Sequence, residues 1–552
     1  MSWFQTQGKT QYNTCSPLKK TSKKIKLTDE QKDIIKIKLK REEVMKVNAF
    51  AGTGKTFTLV EYAKANMDKK FLYLAFNRAI KEEAGGKFPG NVECRTSHSL
   101  AWKIGQQYKH KLEQGNFRIY TLMKLFGLDS ARDARIIRNT FFSYLASEDK
   151  DINRNHITSE DLKDFIIFNG LWGLNKFSHE DLLGNKKRGM KKKAKKELDN
   201  WLDIMVNYTK ELWIRMQDVN NFQVPMVHDG YLKLFQLTHP TLNYDCILFD
   251  EAQDSNPVTT NIVMNQKASK VLVGDSYQGI YLFRGSKDSM KKINSDRDMY
   301  LTKCFRFGEP IARLGNTILE HFAGEKRKME GVGEGGDICN VETGKHTVLT
   351  RTNAFLFGES ARNLNKRLFF VGGVDGYKFN IIEETYHLWK GNLNLVKDPF
   401  LKNFKSFNEL NKYAAEAEDK EITARIFIIK DYGDNIPFIV KKINEVATKD
   451  IKESGMILST AHKSKGLEFE KVRLTNDFAP LLDQYGKIKD DVKAEDVNVL
   501  YVALTRTKDK LQVNDTIEDF LKVLNGESLG NKYLPMNKTT EMILKGNKYD
   551  FE

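Results

Sequence analysis

The eight residues Ala49-Phe50-Ala51-Gly52-Thr53-Gly54-Lys55-Thr56 combine the ingredients of a phosphate cradle: glycines, then a lysine, then a hydroxyl. Glycine lets the backbone turn so that successive N–H groups point at one anion, and a helix starting at Lys55 adds the positive end of its dipole. With Gly52, Thr53 and Gly54 forming the loop, Lys55 is placed to reach the β and γ phosphates of ATP and the Thr56 hydroxyl to ligate Mg²⁺. Ala49 stands where the common pattern has its first glycine, a mild change.

A second cluster is acidic. The apolar run Cys246 to Phe249 ends on Asp250 and Glu251, followed by Ala252, Gln253 and Asp254. A buried strand in an open parallel sheet delivers its last residues to the crevice where ligands bind. Two carboxylates there have separate tasks: Asp250 holds the Mg²⁺ shell, and Glu251 takes a proton from an attacking water. A chance glycine loop and an exposed acidic turn are the plain alternatives. The order strand, loop, helix in the first cluster and the apolar strand in the second weigh against both.

The elements that must position these residues are short apolar runs bounded by polar or turn residues: Val44 to Ala49, Phe71 to Ala75, Tyr244 to Phe249, Val271 to Val273 and Val348 to Leu349. With intervening helical patterns they predict an α/β fold built on buried parallel strands. At 552 residues the chain exceeds one core, since single domains stop growing near about 250 to 300 residues. Between 104 and 225 glycines thin out and helix formers dominate, and 386–449 is a second helix-prone polar stretch. The expected division is a first lobe of 1–103 with 226–295, a helical insertion of 104–225, a second lobe of 296–385 with 450–552, and a short insertion of 386–449.

Lys and Arg number 89 against 73 Asp and Glu, a net charge of +16, which favours a polyanionic partner without identifying one. The basic run Lys186 to Lys196 reads as a phosphate-backbone contact, a nuclear signal or a solvated helix face, and residues 1–26 read as a disordered basic arm. The five cysteines lie far apart with no CxxC pair, which suggests neither zinc nor a disulfide framework and fits a reducing compartment. No apolar run approaches the ~20 residues that span a bilayer. The expected location is cytoplasmic, at a nucleoid or in a viral host cell, or nuclear in a eukaryote.

Together with Val273 to Gly285, Leu301 to Arg306, Thr460 to Phe469 and Leu500 to Arg506, the two clusters closely resemble superfamily 1 helicases of the UvrD, Rep and PcrA type. Within that superfamily, Phe71 to Arg78, His462 to Phe469 and Asn498 to Ala503 most resemble the helicase part of the F-box DNA helicases. Only 26 residues precede the first motif at Leu27, so an F-box adaptor role is not expected here, and the Lys- and Asn-rich, proline-poor composition suggests a bacterial, phage or other viral source.

The resemblance implies two RecA-like domains, each with a mainly helical insertion, with ATP in the cleft between them. Gln31 would read the adenine edge, Phe305 would stack on the adenine, Glu468 would bond the ribose and Gln278 would sense the γ-phosphate. Arg306 and Arg506 would come from the second lobe to the transferred phosphoryl group, so hydrolysis would depend on closure. Phe76, Asn77, Thr96, His98, Tyr281 and Phe283 would line a groove for single-stranded DNA, and Thr460 and His462 would touch the strand from the second lobe. Phe283 stands where the family often has tryptophan, and Asn498 where many members have arginine.

The implied function is a 3′ to 5′ single-stranded DNA translocase and helicase, a monomer acting in replication, repair or recombination on single strands and single/double-strand junctions. A replication or repair protein partner is compatible with this. The rival readings are a DNA-stimulated ATPase that strips proteins from DNA, and an ATP-switched DNA-binding scaffold.

Overall fold

The computed structural model describes residues 26–113, 118–184, 190–281, 289–529 and 532. Residues 1–25 of the basic arm, 186–189 of the basic run, and Phe283 lie outside the described residues. Lys191 to Lys193 of that run are exposed at the start of a long helix, Lys192–Gln217.

The first lobe is a six-stranded parallel sheet, in spatial order Val92–Thr96, Phe71–Ala75, Cys246–Phe249, Ser269–Gly274, Val44–Ala49 and Arg297–Leu301. Phe71–Ala75, Cys246–Phe249 and Ser269–Gly274 are buried along their whole length, as strands covered on both faces must be. All six run the same way, so their C-terminal ends line one edge. Along that edge lie the glycine loop after Ala49, Phe76 after Ala75, Asp250 after Phe249, and Asp275 after Gly274. Ala75 pairs with Thr96, which brings Asn77 and His98 out of neighbouring strand ends.

The second lobe is a seven-stranded parallel sheet ordered Asp337–Ile338, Thr507–Gln512, Phe469–Leu474, His346–Thr350, Met456–Thr460, Leu368–Phe370 and Ala447–Thr448. Two strands depart from the division expected above. Arg297–Leu301 pairs with Val44–Ala49 in the first sheet, so the chain leaves that sheet after Leu301, not at 295. Ala447–Thr448, inside the expected second insertion, pairs with Leu368–Phe370 at the edge of the second sheet.

The segment 104–225 is mainly helical, with Lys192–Gln217 packed on Ala131–Leu145. The helix Phe379–Trp389 crosses the expected boundary at 386 and is followed by Phe407–Glu416, Lys420–Tyr432 and Ile436–Val446. The two insertions share one apolar core. Ile119, Leu122, Phe141, Tyr144 and Trp213 from the first are continuous with Phe400, Phe404, Leu410 and Tyr413 from the second. Buried Arg135 pairs with Glu418 across this junction at 2.5 Å.

Candidate active site and nucleic-acid interface

The glycine loop turns as its sequence requires. Gly52 and Gly54 sit at φ +71° and +79°, in the left-handed region that side chains resist. A Cβ on Gly52 would lie 2.8 Å from both Cys304 Sγ and Arg306 Cβ, so this glycine is what lets the following segment close onto the loop. The Phe305 N–H donates to the Gly52 carbonyl at 2.9 Å. Thr53 is buried, its hydroxyl bonded to the Phe50 carbonyl. The helix Lys55–Lys64 begins at Gly54.

The acidic pair faces this loop. Lys55 Nζ lies 3.4 Å from Glu251, and the Thr56 hydroxyl donates to Asp250 Oδ2 at 3.2 Å. Tyr73 donates to the same oxygen at 2.6 Å. Glu251 adopts φ +51°, a strained conformation for a non-glycine residue of the kind that clusters at working sites. Burial and the neighbouring Glu251 charge push the Asp250 carboxyl up. Burial also pushes Glu251 up, but the ammonium groups of Lys55 and Lys465 outweigh it and hold that carboxyl well below the usual range. A buried carboxylate beside a threonine hydroxyl suits Mg²⁺. Among the described residues no cluster of three or more His, Cys, Asp or Glu could hold a metal.

The second lobe reaches this pocket through buried side chains. Arg506, 1 % exposed, bonds the Val502 carbonyl at 2.8 Å and Gln278 Oε1 at 3.4 Å. Arg306 donates to Glu468 at 3.1 Å and to the Thr505 carbonyl at 2.9 Å. Phe305 is about half exposed beside the loop. Gln31 is buried, and its amide is engaged by the Thr28 N–H and the Thr58 hydroxyl. It lies 3.3 Å from where a Cβ on Gly54 would stand, at the base of the loop.

Three of the aromatic and imidazole groups expected at DNA converge. Phe76 and Tyr281 stack with ring centroids 5.2 Å apart, and Tyr281 lies 6.3 Å from His462. The side chains of Asn77, Thr96 and Thr460 instead cap the helices that follow them, accepting from the N–H groups of Ile80, Ser99 and Lys463. His98 is in a different cluster: its Nε2 is 3.1 Å from Asp229 Oδ1, with the rings of His228 and Tyr231 beside it.

Four residues that carry no role in the sequence reading stand at the centre of the site. Lys465, from the second lobe, forms an ion pair with fully buried Asp254, donates to the Gln278 carbonyl and lies 5.2 Å from the centre of the Tyr281 ring. Tyr501 bonds both the loop N–H of Ala51 and the Asp275 carboxylate. Their sequence signal is only their position inside the Cys246 to Asp254, Thr460 to Phe469, Leu500 to Arg506 and Val273 to Gly285 segments, because the contacts arise from lobe docking.

Residues 27–298 match the UvrD/REP helicase N-terminal domain, and residues 185–516 the UvrD-like helicase C-terminal domain. The chain is 32% identical over 539 residues to F-box DNA helicase 1 of Gallus gallus, covering 91% of this chain and 50% of that protein. It is 33% identical over 527 residues to F-box DNA helicase protein 1 of Schizosaccharomyces pombe, covering 89% of this chain and 58% of that protein. The chain thus spans little more than half the length of these relatives. Two parallel-sheet lobes, a glycine loop facing an acidic pair, and two domain matches that together cover most of the sequence make this chain a member of the UvrD-like helicase family.

Proposed function

We propose that this chain is an ATP-driven motor that moves 3′ to 5′ along single-stranded DNA and unwinds duplex ahead of it. The observation that carries the reading is the short span from Gln278 to Tyr281. Gln278 meets Arg506 at the nucleotide pocket, and Tyr281, three residues on, stacks on Phe76. A change in phosphate state at one end of this span displaces a base-stacking ring at the other.

The residues divide the work by their chemistry. The loop N–H groups and Lys55 hold the phosphates, Thr56 and Asp250 hold Mg²⁺, and Glu251 takes the proton of the attacking water at its carboxylate. Bound Mg²⁺ neutralises phosphate charge. Arg306 and Arg506 present guanidinium groups to the charge spread over the transferred phosphoryl oxygens. Their approach closes the lobes and loss of the γ-phosphate releases them, so grip on the strand alternates with turnover. Aromatic stacking gives the groove little base preference. The substrates are single strands and single/double-strand junctions, the working unit a monomer, and the location any compartment that holds DNA. No described helix is long and apolar enough to cross a membrane.

Stopped-flow translocation on strands labelled at either end, run beside ATP turnover with and without single-stranded DNA, tests the proposal. Turnover should require the strand, and signal should arrive first at the 5′ label. Equal turnover with and without DNA would overturn it.

A further inference from the structure

The helix Ala494–Leu504 presents Asn498 and Tyr501 one turn apart on the same face. That face lies against the segment Asp275–Gly279 of the first lobe. Asn498 donates to the Gly279 carbonyl at 2.8 Å. The Tyr501 hydroxyl accepts from the Ala51 N–H of the glycine loop at 3.2 Å and donates to Asp275 Oδ2 at 3.3 Å. The same Asp275 oxygen accepts from Gln278 Nε2 at 2.7 Å, while Gln278 Oε1 accepts from Arg506 at 3.4 Å. The bonds form one circuit that passes from the glycine loop to the second lobe, back to Asp275 and Gln278, and out again to Arg506.

We infer that Tyr501 is a positioning residue that makes the placement of the Gln278 amide depend on where the second lobe sits. The ring alone fills space in the apolar core that also holds Ile280, Phe307 and Leu500, and phenylalanine would do the same. The hydroxyl is the informative atom. It is fully buried, and burial together with the Asp275 charge pushes its pKa well up. It therefore stays a neutral group that can accept and donate at once. Hydrogen bonds weaken steeply with misalignment, so a small retreat of the second lobe breaks both. Asp275 Oδ2 then loses its donor from the second lobe, and the Asp275–Gln278 pair, still bonded to each other, is no longer held in register with that lobe. Closure is thereby reported to Gln278 by a second route, independent of the arginines.

The inference rests on the motor reading above. Its test is Tyr501→Phe, which deletes one oxygen and keeps the packing. DNA-stimulated kcat should fall about tenfold, the effect of losing one hydrogen bond to a charged group. KM for ATP should stay within about twofold, and the melting temperature within about 4 °C. The decisive arm repeats the substitution in a Gln278→Ala background, where Tyr501→Phe should add less than about twofold because its route is already cut. Unchanged kcat in the single variant overturns the inference. So do losses that multiply across the two backgrounds, whether or not the melting temperature falls with them. Wild-type turnover that ignores DNA is a separate outcome: it removes the motor reading, and the relay with it.

Discussion

Phe76 and Tyr281 lie face to face, centroids 5.2 Å apart and planes 18° apart, although one follows a strand and the other belongs to the segment that carries Gln278. In the motor proposed above, a base entering between or beside them would exchange one stacking partner for another, so little would be lost on entry. Phe76→Ala should weaken single-strand affinity by about 1 to 3 kcal/mol and leave ATP affinity near wild type. Fluorescence anisotropy with a labelled oligonucleotide, beside a melting curve, checks this. Normal affinity with a lowered melting temperature would make Phe76 a packing residue only.

Glu251→Gln keeps the shape of the side chain and removes its basicity. The variant should bind ATP and DNA but release phosphate very slowly, and so accumulate on DNA with ATP bound. Lys55→Ala should abolish turnover by removing the phosphate-facing cation. A phosphate-release assay beside a DNA-retention assay reads both, and wild-type turnover in Glu251→Gln would move the base elsewhere.

The two arginines should differ in kind. Arg306 is bonded to Glu468 near the surface of the cleft and to the Thr505 carbonyl, whereas Arg506 is fully buried and bonded to the Val502 and Leu467 carbonyls. Both alanine variants should lose kcat by about 10³ to 10⁵, with ATP binding less affected. Arg506→Ala should also lower the melting temperature more than Arg306→Ala does, because it empties a fully buried site and removes the guanidinium donor to the Leu467 carbonyl. Steady-state kinetics beside calorimetry separates the two effects.

Burial pushes the Asp254 carboxyl up from 3.8 to about 6, against the pull of Lys465. Because the folded value lies above the unfolded one, the stability from this group is full below about pH 4 and is lost as pH rises through about 6. Asp254→Asn should remove that trend, so the melting-temperature difference between variant and wild type should change between pH 4.5 and 7 (about the window set by the shift). Protonating Asp254 also discharges its pair with Lys465, so DNA-stimulated turnover should fall below about pH 6. The asparagine variant should lack that acid limb. A constant melting-temperature difference across the window would place the titration elsewhere.

Contiguous chemistry is the part of this molecule that a sequence displays. The glycine loop, the acidic pair and the buried strands each need particular residue types in a row, and they stand where their patterns put them. Edges are harder to read. The strand expected as Val271 to Val273 extends over Ser269–Gly274, because Lys270 is buried by turning its ammonium back to the Gln266 carbonyl. Arg297–Leu301 is an edge strand with an exposed, polar beginning, which apolar runs cannot reveal. Contacts made by docking are hidden altogether. Ala51 and Tyr501 are 450 positions apart, and no local pattern joins them.

The apolar core shared by the two insertions limits how the cleft can open. Tyr120 packs on Phe400 and Phe404 while Arg118 pairs with Asp398, so residues hung from opposite lobes are interdigitated away from the nucleotide. Close-packed interiors do not stretch; they re-seat in discrete steps. In the motor proposed above, the insertions would act as a fulcrum: the lobes would lever about it, and the stride along the strand would be set by the arm between that pivot and the Phe76–Tyr281 stack, as well as by the size of the nucleotide gap.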